Sequence, residues 1–149
     1  GPDSTHESTG DDVVGAAKSL SRSTGSVVAV SGAVDIITDG ARVVGSCVRD
    51  NALFRSGEPW VGSTNGVPML QKITATGCSV TDLIAAFVAV DPSHPLEATA
   101  TALSVFGLAG EAGMGRAHGP GSLRAELIDA LHGLDRDTVH RMVKIGNVS

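Results

Sequence analysis

The residues of this 149-residue chain that combine most readily into chemistry lie at Lys72-Ile-Thr-Ala-Thr-Gly-Cys78, followed by Ser-Val-Thr-Asp-Leu-Ile-Ala-Ala-Phe87. A short extended segment there runs into small residues and then into a helical pattern. A turn of that kind leaves free backbone N–H groups at the start of the helix, where an anion can be held. Cys78 falls at the same point, where the positive end of the helix favours a thiolate. The amides of Thr76 and Gly77 would form an anion hole beside Cys78 as a base. That pairing suits phosphoryl transfer, which depends mainly on positioning and charge stabilisation. Taken alone, Cys78 reads more readily as a small, buried, inert residue.

Several elements must position that turn. Asp11 to Thr24 reads as a helix, with Val13, Val14, Ala16, Ala17 and Leu20 on one face and Gly25 as its stop. Val27 to Val30 is continuously apolar, as expected of a strand covered on both faces. Asp35 to Thr38, Asp39-Gly40 and Arg42 to Val44 read as a hairpin, because Asp-Gly between β-branched runs favours a tight turn. Ser46 to Thr64 has no usable periodicity and reads as a long loop. Met69 to Thr74 reads as extended. Beyond Cys78, the residues Val80, Leu83, Ile84, Phe87 and Val88 recur at helical spacing. A further helix, Leu96 to about Arg116, is apolar nearly all round and is expected to be buried. Its glycines, Gly107, Gly110, Gly113 and Gly115, weaken it as an isolated helix. Gly119-Pro-Gly-Ser122 is a turn whose serine can cap the next helix, and Asp135 opens a short last one. Helix, turn and apolar strand in succession predict an α/β fold.

Composition narrows the function. Apolar residues make up 42% of the chain, enough for one core. The net charge of −5, without a Lys/Arg run, argues against nucleic acid as a partner. The longest apolar run, Leu96 to Ala109, is interrupted by Glu97, Thr99 and Thr101 and is too polar to span a membrane. Cys47 and Cys78 are too few for a disulfide framework, which favours a reducing compartment. No signal peptide is visible, so a cytoplasmic location is expected. A plastid stays open, because the chain starts Gly-Pro-Asp rather than with Met. His6, His94, His118, His132 and His140 lack metal-ligand spacing. There is neither a P-loop nor a dinucleotide fingerprint.

Five motifs in one order carry a resemblance: Val28-Ala-Val-Ser-Gly-Ala-Val-Asp35, Ile37-Thr-Asp-Gly40, Asn65-Gly66, Ile73-Thr-Ala-Thr-Gly-Cys78 and Gly119-Pro-Gly-Ser122. The series closely resembles the C-terminal half of hydroxyethylthiazole kinases, enzymes of thiamine salvage, and is most similar to plant members. The resemblance implies the C-terminal half of a ribokinase-like α/β/α sandwich, with a mostly parallel sheet, a hairpin and a helix-rich C-terminus. It implies a single partial domain over 1–149, with an inserted loop at 46–64. It also implies transfer of the ATP γ-phosphate to the hydroxyl of 4-methyl-5-(2-hydroxyethyl)thiazole, with Mg2+, in a homotrimer whose active sites lie at subunit contacts.

By the same resemblance, Cys78 is the acid–base group, Ser31 contacts ATP and Ala75 lines the thiazole site where relatives often have glycine. The family's ATP-binding arginine and its magnesium-associated acidic groups have no matching position here. Two other readings stand beside this one. The chain could be a non-catalytic truncated or splice-variant piece of such a kinase. It could also be another small-molecule kinase of the ribokinase-like group, although those usually place aspartate where Cys78 stands.

Overall fold

The first helix, α1 (Gly10–Thr24), ends where Gly25 takes a left-handed φ of 69° and its N–H reaches back 2.8 Å to the Ser21 carbonyl. The computed structural model describes residues 10–32, 34–47, 60–63, 66–142 and 145–148. Ala17 of α1 is buried, but Leu20, expected on the same apolar face, is 52% exposed. The contact to the sheet is instead polar: the buried Ser21 hydroxyl donates to the carbonyls of Ser26 at 2.6 Å and Thr38 at 3.4 Å.

Strands β1 (Val28–Val30), β2 (Val34–Thr38) and β3 (Val43–Cys47) form a meander. The predicted hairpin is present, with β2 antiparallel to β3. Its turn closes on side chains. Asp39 Oδ1 accepts from the N–H groups of Ala41 and Arg42, and the Thr38 hydroxyl oxygen accepts from the Gly40 N–H. Gly40 has φ 89°, which favours glycine there. Ile36 and Ile37 point to opposite faces of β2 and both are buried, so β2 is covered on both sides. β1 is not. It lies at the sheet edge with Ala29 exposed, and its apolar run is only half covered.

The sheet corrects the expectation of mostly parallel strands. In the order β1-β2-β3-β4-β5, the pairs β1–β2, β2–β3 and β4–β5 are antiparallel and only β3–β4 is parallel, among the described residues. The reason is connection length. Parallel pairing needs a crossover of a dozen or more residues, and the links at 31–33 and 39–42 are too short for one. The two ends of the stretch read as a loop are also paired. Residues 46 and 47 extend β3, and β4 (Trp60–Ser63) lies against it; β5 (Ile145–Val148) had no sequence signal. Residues 48–59 of that loop lie outside the described residues.

The C-terminal half is helical, as expected: α2 (Thr76–Val90), α3 (Pro95–Met114), α4 (Pro120–Gly133) and α5 (Arg136–Met142). α3 is the central one. Thirteen of its residues are buried, and Leu96, Leu103, Phe106 and Ala109 join Ile37, Val80, Leu127 and Ala130 in one cluster. Its glycines serve close approach rather than flexibility. A Cβ on Gly113 would lie 3.0–3.1 Å from the backbone of Glu126 and Leu127 in α4. A Cβ on Gly110 would lie 2.8 Å from Leu70 Cδ1.

Candidate active site

Pro68 sets up the segment before the candidate turn. Its fixed φ suits the first position of a helix, and Pro68–Lys72 forms a 3-10 helix where an extended segment is expected from the sequence. This compact turn seats Leu70 against Gly110 of α3 and buries Ile73. The Thr76 hydroxyl then donates to the carbonyls of Ile73 at 3.2 Å and Leu70 at 3.4 Å, tying the start of α2 to the 3-10 helix.

Ala75 precedes α2 with φ 74° and ψ 6°, a left-handed conformation rare for a residue with a Cβ. Its carbonyl accepts from the Ser79 N–H and the Ser79 hydroxyl, both at 3.0 Å. That N–H bond opens the helical ladder, so the N–H groups of Thr76, Gly77 and Cys78 lie ahead of it. No side chain caps them. A Cβ on Gly77 would meet nothing within 4 Å, so the turn is open above it. Cys78 is exposed and its thiol is free, which rules out the inert buried reading. The turn therefore presents three forward amides and a thiol to open space, an arrangement that fits a phosphate oxygen.

Ser31 follows β1, which packs with α1 and β2, whereas α2 packs on α3. No hydrogen bond among the described residues links Ser31 to the Cys78 turn. Ser31 is exposed. Beside it, the Gly32 N–H donates to Asp35 Oδ1 at 3.0 Å. Burial pushes the Asp35 carboxyl up from 3.8 to about 6, partly countered by that N–H. The raised value favours the protonated form in the folded chain. Its contribution to stability is thus complete below pH 3.8 and is lost as pH rises through about 6.

Among the described residues, no group of three or more His, Cys, Asp or Glu side chains is placed to hold a metal ion. His94 pairs with Asp91 through Nδ1 and Oδ1 at 3.0 Å. Among the described residues, no helix is long and apolar enough to cross a membrane. Glu111 of α3 is half-buried and accepts from the Gly66 N–H at 2.9 Å, across 45 residues of chain. The only sequence signal for that link is an acid inside an apolar helix.

The chain is similar to known proteins over most of its length. The sequence model of the hydroxyethylthiazole kinase family matches residues 1–137. The chain is 52% identical over 145 residues to hydroxyethylthiazole kinase of Arabidopsis thaliana, covering 97% of this chain and 46% of the relative. The Zea mays enzyme is also 52% identical, over 97% of this chain and 45% of the relative. The chain thus spans about half the length of the curated relatives it matches. A solved hydroxyethylthiazole kinase structure from Pyrococcus horikoshii superposes with a TM-score of 0.74 at 32% identity, over 93% of this chain and 47% of that one. With a family match across all but the last dozen residues and a solved relative sharing its arrangement of elements, this chain belongs to the hydroxyethylthiazole kinase family.

Proposed function

We propose that this chain takes part in ATP-dependent phosphorylation of the hydroxyl of 4-methyl-5-(2-hydroxyethyl)thiazole. The observation that carries the reading is the uncapped start of α2, with an exposed thiol beside three forward amides, in a chain of this family. On this reading the amides of Thr76 and Gly77 face the transferring phosphoryl group, where fixed N–H dipoles stabilise developing charge. Cys78 accepts or orients the proton of the attacking hydroxyl. Ala75 lines the thiazole side of the turn, and Ser31 contacts ATP from the end of β1. ATP is the phosphoryl donor. Magnesium finds no ligand cluster among the described residues, so no step assigned to this chain runs through it.

The finer architecture, half of a ribokinase-like sandwich that assembles as a trimer, belongs to the same proposal. The half-length arrangement is supported by the superposition on a solved relative of about twice the length, and the trimer rests on the family resemblance alone. In a second reading, the chain is not catalytic by itself and acts only when assembled with longer copies of the kinase. Incubating the purified chain with ATP, Mg2+ and hydroxyethylthiazole separates the two. Phosphorylated thiazole from the chain alone supports the first. Product only after addition of a catalytically inactivated full-length relative supports the second. Phosphorylation of hydroxymethylpyrimidine or sugars in preference to the thiazole would overturn both.

A further inference from the structure

We propose that Gly110 and Glu111 of α3 position the anion-holding turn at the start of α2, an inference that rests on the kinase reading of that turn. The two residues grip one segment at two points. Glu111 Oε1 accepts from the Gly66 N–H at 2.9 Å, where the segment begins. Gly66 has φ 139°, which a residue with a side chain rarely adopts. Four residues later Leu70 lies against Gly110, so closely that a Cβ there would stand 2.8 Å from its Cδ1. The Leu70 carbonyl then receives the Ile73 N–H at 3.2 Å and the Thr76 hydroxyl at 3.4 Å.

Thr76 opens α2 and carries one of the three forward amides. A continuous set of contacts therefore runs from α3 through the 3-10 helix to the turn. Thirteen of the 20 residues of α3 are buried, so it is a rigid reference for a turn that is largely exposed. A half-buried carboxylate in an apolar helix is costly unless it is bonded, and a bond to a charged group is stronger than a neutral one. Neither residue touches the proposed reacting atoms. Their role is to fix where Gly77 and Cys78 stand.

The test is hydrogen exchange of the intact chain, read together with the alkylation rate of Cys78 measured on its own peptide. Glu111→Ala is expected to speed exchange over residues 66–79 by about tenfold, the loss of one charge-assisted bond, and to speed Cys78 alkylation. Glu111→Gln keeps an acceptor for the Gly66 N–H and is expected to restore both. Gly110→Ala displaces only the end of the Leu70 side chain, so it should fold and loosen the same segment. A response spread evenly over α3 and the core, or no response at 66–79, would overturn the inference. Exchange and alkylation need no catalysis. Failure of the kinase reading would show separately, as absence of phosphorylated thiazole from the wild-type chain.

Discussion

The starts of α2 and α4 are built from the same ingredients and end up differently. Each has small residues, a glycine above which space is open, and a hydroxyl within the first turn. At α4 the hydroxyl both donates and accepts. Ser122 Oγ accepts from the N–H groups of His118 at 2.9 Å and Gly119 at 3.2 Å and donates to the Gly119 carbonyl at 3.2 Å, and Pro120 brings no N–H at all. At α2 the Thr76 hydroxyl donates to two carbonyls. Its neighbouring amides stay available, and an exposed thiol stands among them. The α4 start is tied by its serine to the two residues before it, whereas the α2 start is tied to the 3-10 helix and carries an exposed thiol.

The comparison can be broken most sharply at the chemistry. Cys78→Ala is expected to lower kcat for thiazole phosphorylation by about 100-fold, the low end of what a positioned acid–base group supplies. Ser122→Ala is expected to leave kcat unchanged. Equal effects in a steady-state assay would remove the distinction between the two turns. Next in size, Thr76→Val should cost about 1–2 kcal/mol in a urea unfolding curve, because it removes one hydroxyl shared between two carbonyls. Ser122→Ala should cost about 1 kcal/mol in the same measurement, the usual size of a lost cap. The smallest effect is a gain. Ala75→Gly relieves about 1–2 kcal/mol of left-handed strain and loses about 0.5–1 kcal/mol to unfolded-chain entropy. A net stabilisation of about 0.5–1 kcal/mol is expected, and a lower denaturation midpoint would show that Ala75 is not strained in solution.

Much of the fold is legible in the sequence where a short-range rule decides it. Asp39-Gly40 between β-branched runs specifies the hairpin, and Gly25 ends α1 through its left-handed φ. The all-round apolar pattern of α3 correctly predicts burial. Misreadings fall where long-range pairing decides. The Val28–Val30 run is apolar enough for a covered strand, yet it lies at an edge. β5 is four residues long with no periodicity, and its place comes only from pairing with β4. The 3-10 helix at Pro68–Lys72 owes its form to the seat that Gly110 gives Leu70, which no local pattern reports.

The site divides in the same way. Cys78 and the turn before it are visible as a small-residue run entering a helix. The support beneath them is not, since the bond from Gly66 to Glu111 spans 45 residues.

Gly110 and Gly113 are three residues apart in α3, and each is pressed by a different neighbour: Leu70 on one, the α4 backbone on the other. A helix turns about 100° per residue, so a single-residue insertion between them would swing one contact out of phase with the other. The register of α3 is thus fixed more tightly than its composition. Substitutions along its buried face can be absorbed by repacking, whereas a change in its length by one residue would uncouple the turn before α2 from the helical layer that carries it.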